Sequence, residues 1–136
     1  MRKKKGKQNT SGSSKASITG KRSRQRGHSY ERKLVNELKE ITGNDNIKTS
    51  RQESKSLDCN KIDIYDGDNV LNFYVQAKST QATPQIKKIN AEVGLKDKPL
   101  AIFWNAQEPR ESKQVSVGEY VIIPKSFFYD LIKMQY

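Results

Sequence analysis

The apolar residues of the chain recur at two spacings, and these distinguish the predicted helices from the predicted strands. In SYERKLVNELKEITG, residues 29–43, apolar positions fall three or four residues apart, which predicts a first helix ending near Gly43. IKTSR, KIDIY and VLNFYVQAK are rich in β-branched and aromatic residues and predict three strands. The DGDN between the last two predicts a tight hairpin turn.

The second half of the chain alternates between the same two patterns. TPQIKKINAEVGL predicts a second helix beginning after Pro84, and SFFYDLIKMQY predicts a final one. PLAIFWN and YVIIP between them predict two further strands. The order of helix, three strands, helix, two strands and helix indicates an α/β fold.

Size and composition narrow the classes of protein. A chain of 136 residues suits one domain, and no apolar run approaches the roughly 20 residues of a membrane span. The N-terminus lacks the apolar stretch of a secretory signal, so we expect an intracellular protein. One cysteine and one histidine argue against a disulfide framework and a nitrogen–sulfur zinc site. A catalytic metal would need oxygen ligands, which favours Mg²⁺ or Mn²⁺.

Positive charge is concentrated at the N-terminus. Residues 1–26 contain ten of the 26 Lys and Arg residues and no acid, whereas the rest of the chain is nearly neutral. Small polar residues fill the remainder of this segment, so we predict a disordered arm that binds polyanions. Its DNA contacts would include Arg22, Arg24 and Arg26. The alternatives are a solubilising or localising tail without a specific partner, and a segment that binds acidic lipid.

Three polar side chains interrupt the two predicted hairpin strands. Gln76 and Lys78 share one face of their strand, and Asp63 lies near the partner of Gln76 across the hairpin. Glu31 stands at the edge of the buried face of the first helix. Oxygen ligands and a lysine on one patch suit metal-dependent phosphodiester hydrolysis. Alternatively, Asp63 and Lys78 form an ordinary cross-strand ion pair on an exposed sheet.

The order and spacing of these residues carry a family resemblance over residues 27–104. A helix with Glu31, a strand with Asp63 and, thirteen residues later, Gln76-Ala77-Lys78-Ser79 resemble the PD-(D/E)XK nuclease superfamily. Within it the chain is most similar to the archaeal-type Holliday junction resolvases. The further matching positions are Gly27, Glu31-Arg32, Arg51 on the first strand, Gln85-Ile86 and PLAIFW.

The resemblance implies a fold and a set of roles. It implies a restriction-endonuclease-like core, a mixed sheet flanked by helices, over residues 27–136 behind the arm at 1–26. Asp63, Gln76, the Ala77 carbonyl and Glu31 would bind Mg²⁺ or Mn²⁺, and Lys78 would position water or offset phosphate charge. DNA contacts would come from Arg32, Arg51, Ser79 and Gln85, and from Lys55 if its loop is more than a polar connection. No small-molecule cofactor is expected.

The departure from the family is Gln76, where most members carry an acid. Either glutamine is tolerated and the chain is active, or glutamate is the natural residue, or the site is degenerate and the chain only binds DNA. The expected function is cleavage of four-way DNA junctions by a homodimer. The alternatives are a nuclease of the same fold acting on another DNA structure and a catalytically silent junction-binding protein.

Overall fold

The computed structural model describes the backbone of residues 2–135 and the side chains of residues 20–135. Five helices and five strands follow one another in this part of the chain. They are α1 (Arg2–Thr42), β1 (Ile47–Thr49), α2 (Ser50–Glu53), α3 (Lys55–Cys59), β2 (Ile64–Asp66), β3 (Tyr74–Thr80), α4 (Ile86–Glu92), β4 (Leu100–Arg110), β5 (Lys113–Ile122) and α5 (Lys125–Lys133). No helix in the described part of the chain has the length and apolar character to cross a membrane.

The strands form two sheets that meet at one point. β1 pairs with β2 in antiparallel fashion, while β3 pairs with β4 in parallel and β4 with β5 in antiparallel register. The crossover from β3 to β4 contains α4, as a parallel connection requires. The backbone N–H of Asp63 donates to the carbonyl of Val75 at 2.9 Å and so links the two sheets. The predicted α/β fold with a mixed sheet is therefore confirmed.

Apolar residues form two buried clusters that fix the helices against the strands. In the first, Tyr30, Leu34 and Leu38 of α1 pack with residues of β1, β2 and β3, including Val75. In the second, residues of α4 pack with Ile62 and with the start of β4. The four-residue spacing of the α1 residues gives the helix one buried face, as the sequence predicted.

The first helix is longer than the sequence pattern predicted. Residues 20–26 belong to α1, although a disordered arm was predicted up to residue 26. Lys, Arg and Gln are good helix formers, and extending an existing helix avoids the cost of nucleating a new one. The prediction of disorder for residues 1–19 lies outside the residues that the structure describes in full.

The predicted tight hairpin between KIDIY and VLNFYVQAK is wrong. β2 pairs with β1, and β3 with β4, while residues 67–73 connect them without a ladder. The cause is local, because the Asp66 carboxylate accepts hydrogen bonds from the N–H groups of Val70 at 3.1 Å and Leu71 at 2.7 Å. These bonds fold the segment into a side-chain-stabilised turn, and Leu71 is then buried in the first cluster.

Two residues predicted on a strand and in a loop lie instead on short helices. Arg51 belongs to α2, and Lys55 begins α3. The hydroxyl of Ser54 accepts from the N–H of Leu57 at 3.3 Å and caps α3. Helices of four and five residues contain too few positions to show a helical period, so the sequence pattern could not reveal them.

Candidate functional site

Asp63 is the centre of the site, and three hydrogen bonds hold it. Its carboxylate Oδ2 accepts from the Ala77 N–H at 2.7 Å, and its own N–H donates to Val75 at 2.9 Å. Its carbonyl accepts from the N–H of Ser50 at 2.9 Å. The carboxylate is thus fixed directly beside the segment Gln76–Lys78, where the sequence predicted that it would lie.

Ser50 supports this arrangement from the start of α2. Its side chain is fully buried, and its hydroxyl donates to the carbonyl of Ile62. Together with the N–H bond to Asp63, this contact ties the β1–α2 junction to the residues before β2. Sequence reasoning missed Ser50, although a hydroxyl at the end of a predicted strand was the available signal.

Burial dominates the electrostatics of Asp63. The pKa of its carboxyl group is raised from 3.8 to about 7, chiefly because burial disfavours the charged form. The hydrogen bond from Ala77 opposes this rise, the negative charge of Glu31 adds to it, and the ammonium group of Lys78 lowers it again. Glu31 and Lys78 therefore both lie within electrostatic range of Asp63, so the structure brings three of the predicted residues together.

Gln76 presents a buried amide oxygen without a hydrogen-bond partner. The residue is 8% exposed, and among the described residues nothing donates to its Oε1. An unpartnered buried oxygen costs roughly 1–3 kcal/mol. Bound water or a cation would remove this cost, so the orphaned oxygen is what an oxygen-ligand metal site would present in the absence of its ion.

Glu31 approaches from α1 and is already engaged by a cation. The Arg51 Nε donates to its Oε1 at 3.0 Å, and the Glu31 side chain is only 11% exposed. Arg51 was predicted to grip the DNA backbone from the first strand, but it extends from α2 towards a carboxylate. A buried carboxylate without a counter-charge is costly, which explains the inward direction of the guanidinium.

These residues fit a cation with oxygen ligands, although with little negative charge. Within the described residues no three His, Cys, Asp or Glu side chains lie close enough to form a metal site. The available oxygens are the carboxylates of Asp63 and Glu31, Oε1 of Gln76 and the carbonyl of Ala77. Hard divalent cations such as Mg²⁺ and Mn²⁺ accept such ligands.

The predicted DNA-binding residues lie in different parts of the surface and do not form one continuous site. Gln85 lines a cleft with Lys78, whereas Ser79 lines a different cleft with Arg22 and Arg26. The remaining three, Arg32, Arg24 and Lys55, are exposed and line neither cleft.

Comparisons of the chain with protein-family models, with curated proteins and with solved structures found no match. The chemistry of the site is therefore argued from its own geometry. Its elements are a partly buried carboxylate, an amide oxygen without a partner, a lysine and a second carboxylate paired with arginine.

The raised pKa of Asp63 predicts an unusual pH dependence of stability. The folded state retains the proton between about pH 4 and 7, so the contribution of Asp63 to stability is full below pH 4 and is lost as pH rises through 7. Asp63→Asn should therefore exceed the wild type in free energy of unfolding at pH 8, by up to roughly 4 kcal/mol, and match it near pH 4. Urea unfolding at both pH values measures this.

The matched control is Asp130→Asn, which neutralises an exposed carboxylate on α5. It should leave the difference between the two pH values unchanged. An Asp63→Asn protein that is no more stable than the wild type at pH 8 would contradict a raised pKa of the Asp63 carboxyl group.

Proposed function

We propose that the chain is a metal-dependent endodeoxyribonuclease with a restriction-endonuclease-like core of the PD-(D/E)XK type. The observation that carries the proposal is the contact between the Asp63 carboxylate and the Ala77 N–H at 2.7 Å. It fixes a partly buried acid against the strand that supplies Gln76 and Lys78, with Glu31 near enough to influence its pKa. A partly buried carboxylate beside an amide oxygen without a partner is costly for stability, which favours a functional role for both.

The topology supports the same assignment. Two antiparallel strands lead to β3, which carries the proposed ligands, and a helical crossover returns the chain to the parallel strand β4. α1 covers the sheet and contributes Glu31. This succession of elements agrees with the order that the resemblance to the nuclease superfamily implies.

Each residue has a distinct part in the proposed reaction. A bound divalent cation would polarise the phosphate and lower the pKa of a water molecule. Asp63, the Gln76 oxygen and Glu31 are the residues that would hold it. Lys78 lowers the pKa of Asp63 and offers its ammonium group to the charge that develops on the phosphate.

The proposed substrate is a four-way DNA junction, and the proposed assembly is a homodimer. Both follow from the resemblance, because two symmetric cuts across a junction require two active sites. Exposed apolar side chains on β5 and α5 offer a surface for the second copy, namely Val117, Tyr120, Val121, Phe128, Tyr129 and Ile132. Basic residues of α1 would contact the DNA backbone without reading bases.

A catalytically silent DNA-binding protein is the second candidate, and Gln76 favours it. Ligand charge is a main control on the affinity of a site for divalent cations, and an amide supplies none. Two carboxylates, one of them paired with Arg51, leave the site with weak affinity.

Cleavage of labelled DNA separates these candidates. With Mg²⁺ or Mn²⁺, the wild-type chain should introduce paired nicks near the branch point of a four-way junction and leave linear duplex intact. Asp63→Ala or Lys78→Ala should lower the rate by at least roughly 100-fold while junction binding persists, since each removes a group that acts in the transition state. Denaturing gels and a mobility-shift assay give the two readouts.

The contrary outcomes are equally distinct. Cleavage of flaps or duplex would favour a nuclease of the same fold with another substrate, and tight binding without products would favour the silent protein. Activity that survives both substitutions would place the catalytic site elsewhere.

Gln76→Glu tests the role of the missing charge. A third carboxylate should lower the Mg²⁺ concentration for half-maximal cleavage by roughly tenfold or more. Gln81→Glu adds the same charge on an exposed neighbour and should change it little. A Gln76→Glu protein with unchanged metal dependence would show that residue 76 does not contact the ion.

A further inference from the structure

A polar groove lies between α1 and the β4–β5 hairpin, outside the candidate metal centre. A cleft of about 520 Å³ shares Arg22, Arg26 and Gln114 with a second cleft of about 440 Å³. The second cleft continues past Ser112 and Lys113 at the tip of the hairpin. We call the two connected clefts the α1–hairpin groove. Its elongated shape suits a polymer better than a compact small molecule.

The α1 wall of the groove continues the stripe that is buried further along the helix. Arg22, Arg26, Tyr30, Leu34 and Leu38 follow one another at four-residue steps, and since each step turns about 40° around the helix, they form a stripe that winds gradually around α1. The stripe is apolar where it covers the sheet and basic where it passes the hairpin. The facing hairpin wall is polar as well, since it contains Asn105, Gln107, Gln114 and Ser116. Along this groove, α1 and the β4–β5 hairpin therefore face each other mainly through polar side chains.

The charge of the groove is positive. Its lining contains Arg22, Arg26, Lys33 and Lys113, and no carboxylate. Glu119 lies beside it and pairs with Lys33 at 2.6 Å, which neutralises that lysine and anchors α1 to β5. The remaining positive charge on this face of α1 belongs to Arg22 and Arg26, so the groove favours an anionic ligand.

Two buried polar atoms in the groove have no partner among the described residues. They are Arg26 Nε, a donor, and Gln114 Oε1, an acceptor. Buried polar groups are normally satisfied, so their lack of partners points to a ligand or water that supplies them. A ligand that satisfies both must offer a hydrogen-bond acceptor and a hydrogen-bond donor, and an anionic oxygen is the strongest acceptor for a guanidinium group. Nucleotides carry both, as phosphate oxygens and as the amino groups of their bases.

We propose that the α1–hairpin groove binds a DNA strand, with a phosphate on Arg22 and Arg26 and a base amino group on Gln114 Oε1. The groove reaches β3 at Ser79, which follows Lys78 in the chain but lies on the opposite face of the strand, and it reaches α1 at Tyr30, which precedes Glu31. Along β4 from Asn105 to its end the groove extends about 17 Å, the axial length of about five nucleotides of one strand. The inference rests on the proposed function because it takes DNA as the substrate.

Matched substitutions test the phosphate contact. Binding of the full chain to fluorescent oligo(dC) and oligo(dT) 20-mers is measured by anisotropy in EDTA. Arg26→Gln should weaken binding to both by roughly tenfold and reduce the salt slope by about 1. Lys133→Gln removes one positive charge from an exposed position on α5, outside the groove, and should weaken binding less than about twofold. Equal losses for the two variants would overturn the proposal.

Gln114→Ala tests the base contact without changing charge. It should weaken binding to oligo(dC), whose bases carry an amino donor, and spare oligo(dT), whose bases do not. Equal effects on the two oligomers would overturn the base contact. These binding tests do not measure cleavage. A chain that passes them but never cuts a junction would support the proposed groove and contradict the proposed nuclease function. A chain that cuts a junction while Arg26→Gln and Lys133→Gln weaken binding equally would contradict the proposed groove and leave the proposed nuclease function intact.

Discussion

The hydrogen bond from the Ala77 N–H to the Asp63 carboxylate is the contact on which the rest of the site depends. It joins the two sheets through a side chain, beside the single backbone bond from Asp63 to Val75. Burial raises the cost of leaving this carboxylate charged, and the hydrogen bond offsets only part of that cost. Either neighbouring groups supply positive charge, or the carboxylate takes up a proton. A divalent cation at this position would resolve the conflict, which is why the geometry favours a metal centre.

Arg51 and Gln76 show two ways in which the protein limits negative charge at this centre. Arg51 neutralises Glu31 directly, at 3.0 Å. Gln76 carries a neutral amide where the resembled family has a carboxylate, and its side-chain oxygen has no hydrogen-bond partner among the described residues. A third buried carboxylate would intensify the repulsion that already raises the pKa of Asp63. In the proposed site, the amide would favour stability of the metal-free fold at the expense of metal affinity.

Sequence patterns predicted the elements with long apolar stripes and missed features formed by single side chains. The helix at 29–43 and the strands around Val75 and Ile102 were predictable because each buries several regularly spaced residues. The turn made by Asp66 and the four-residue α2 were not, since each depends on local hydrogen bonds. The convergence of Glu31, Asp63 and Lys78 was predictable from spacing. The direction of Arg51 was not, because it depends on the burial of Glu31.

The α1–hairpin groove illustrates the same limit on a larger scale. Its walls come from residues 22–33 and 105–116, which no local pattern connects. Only the extension of α1 back to residue 20 and beyond brings the basic stripe opposite the hairpin. The composition showed only that the N-terminal segment is cationic, whereas the structure shows which of its basic side chains line the α1–hairpin groove.

The most direct test of the central claim is an NMR titration of the Asp63 side-chain carboxyl carbon in the folded chain, with and without Mg²⁺. The account predicts a pKa of about 7 in the metal-free protein. It further predicts that saturating Mg²⁺ lowers this pKa by at least about one unit, because the cation stabilises the charged form. A pKa near 3.8 without metal, or one that Mg²⁺ does not change, would contradict a metal centre built on a buried carboxylate.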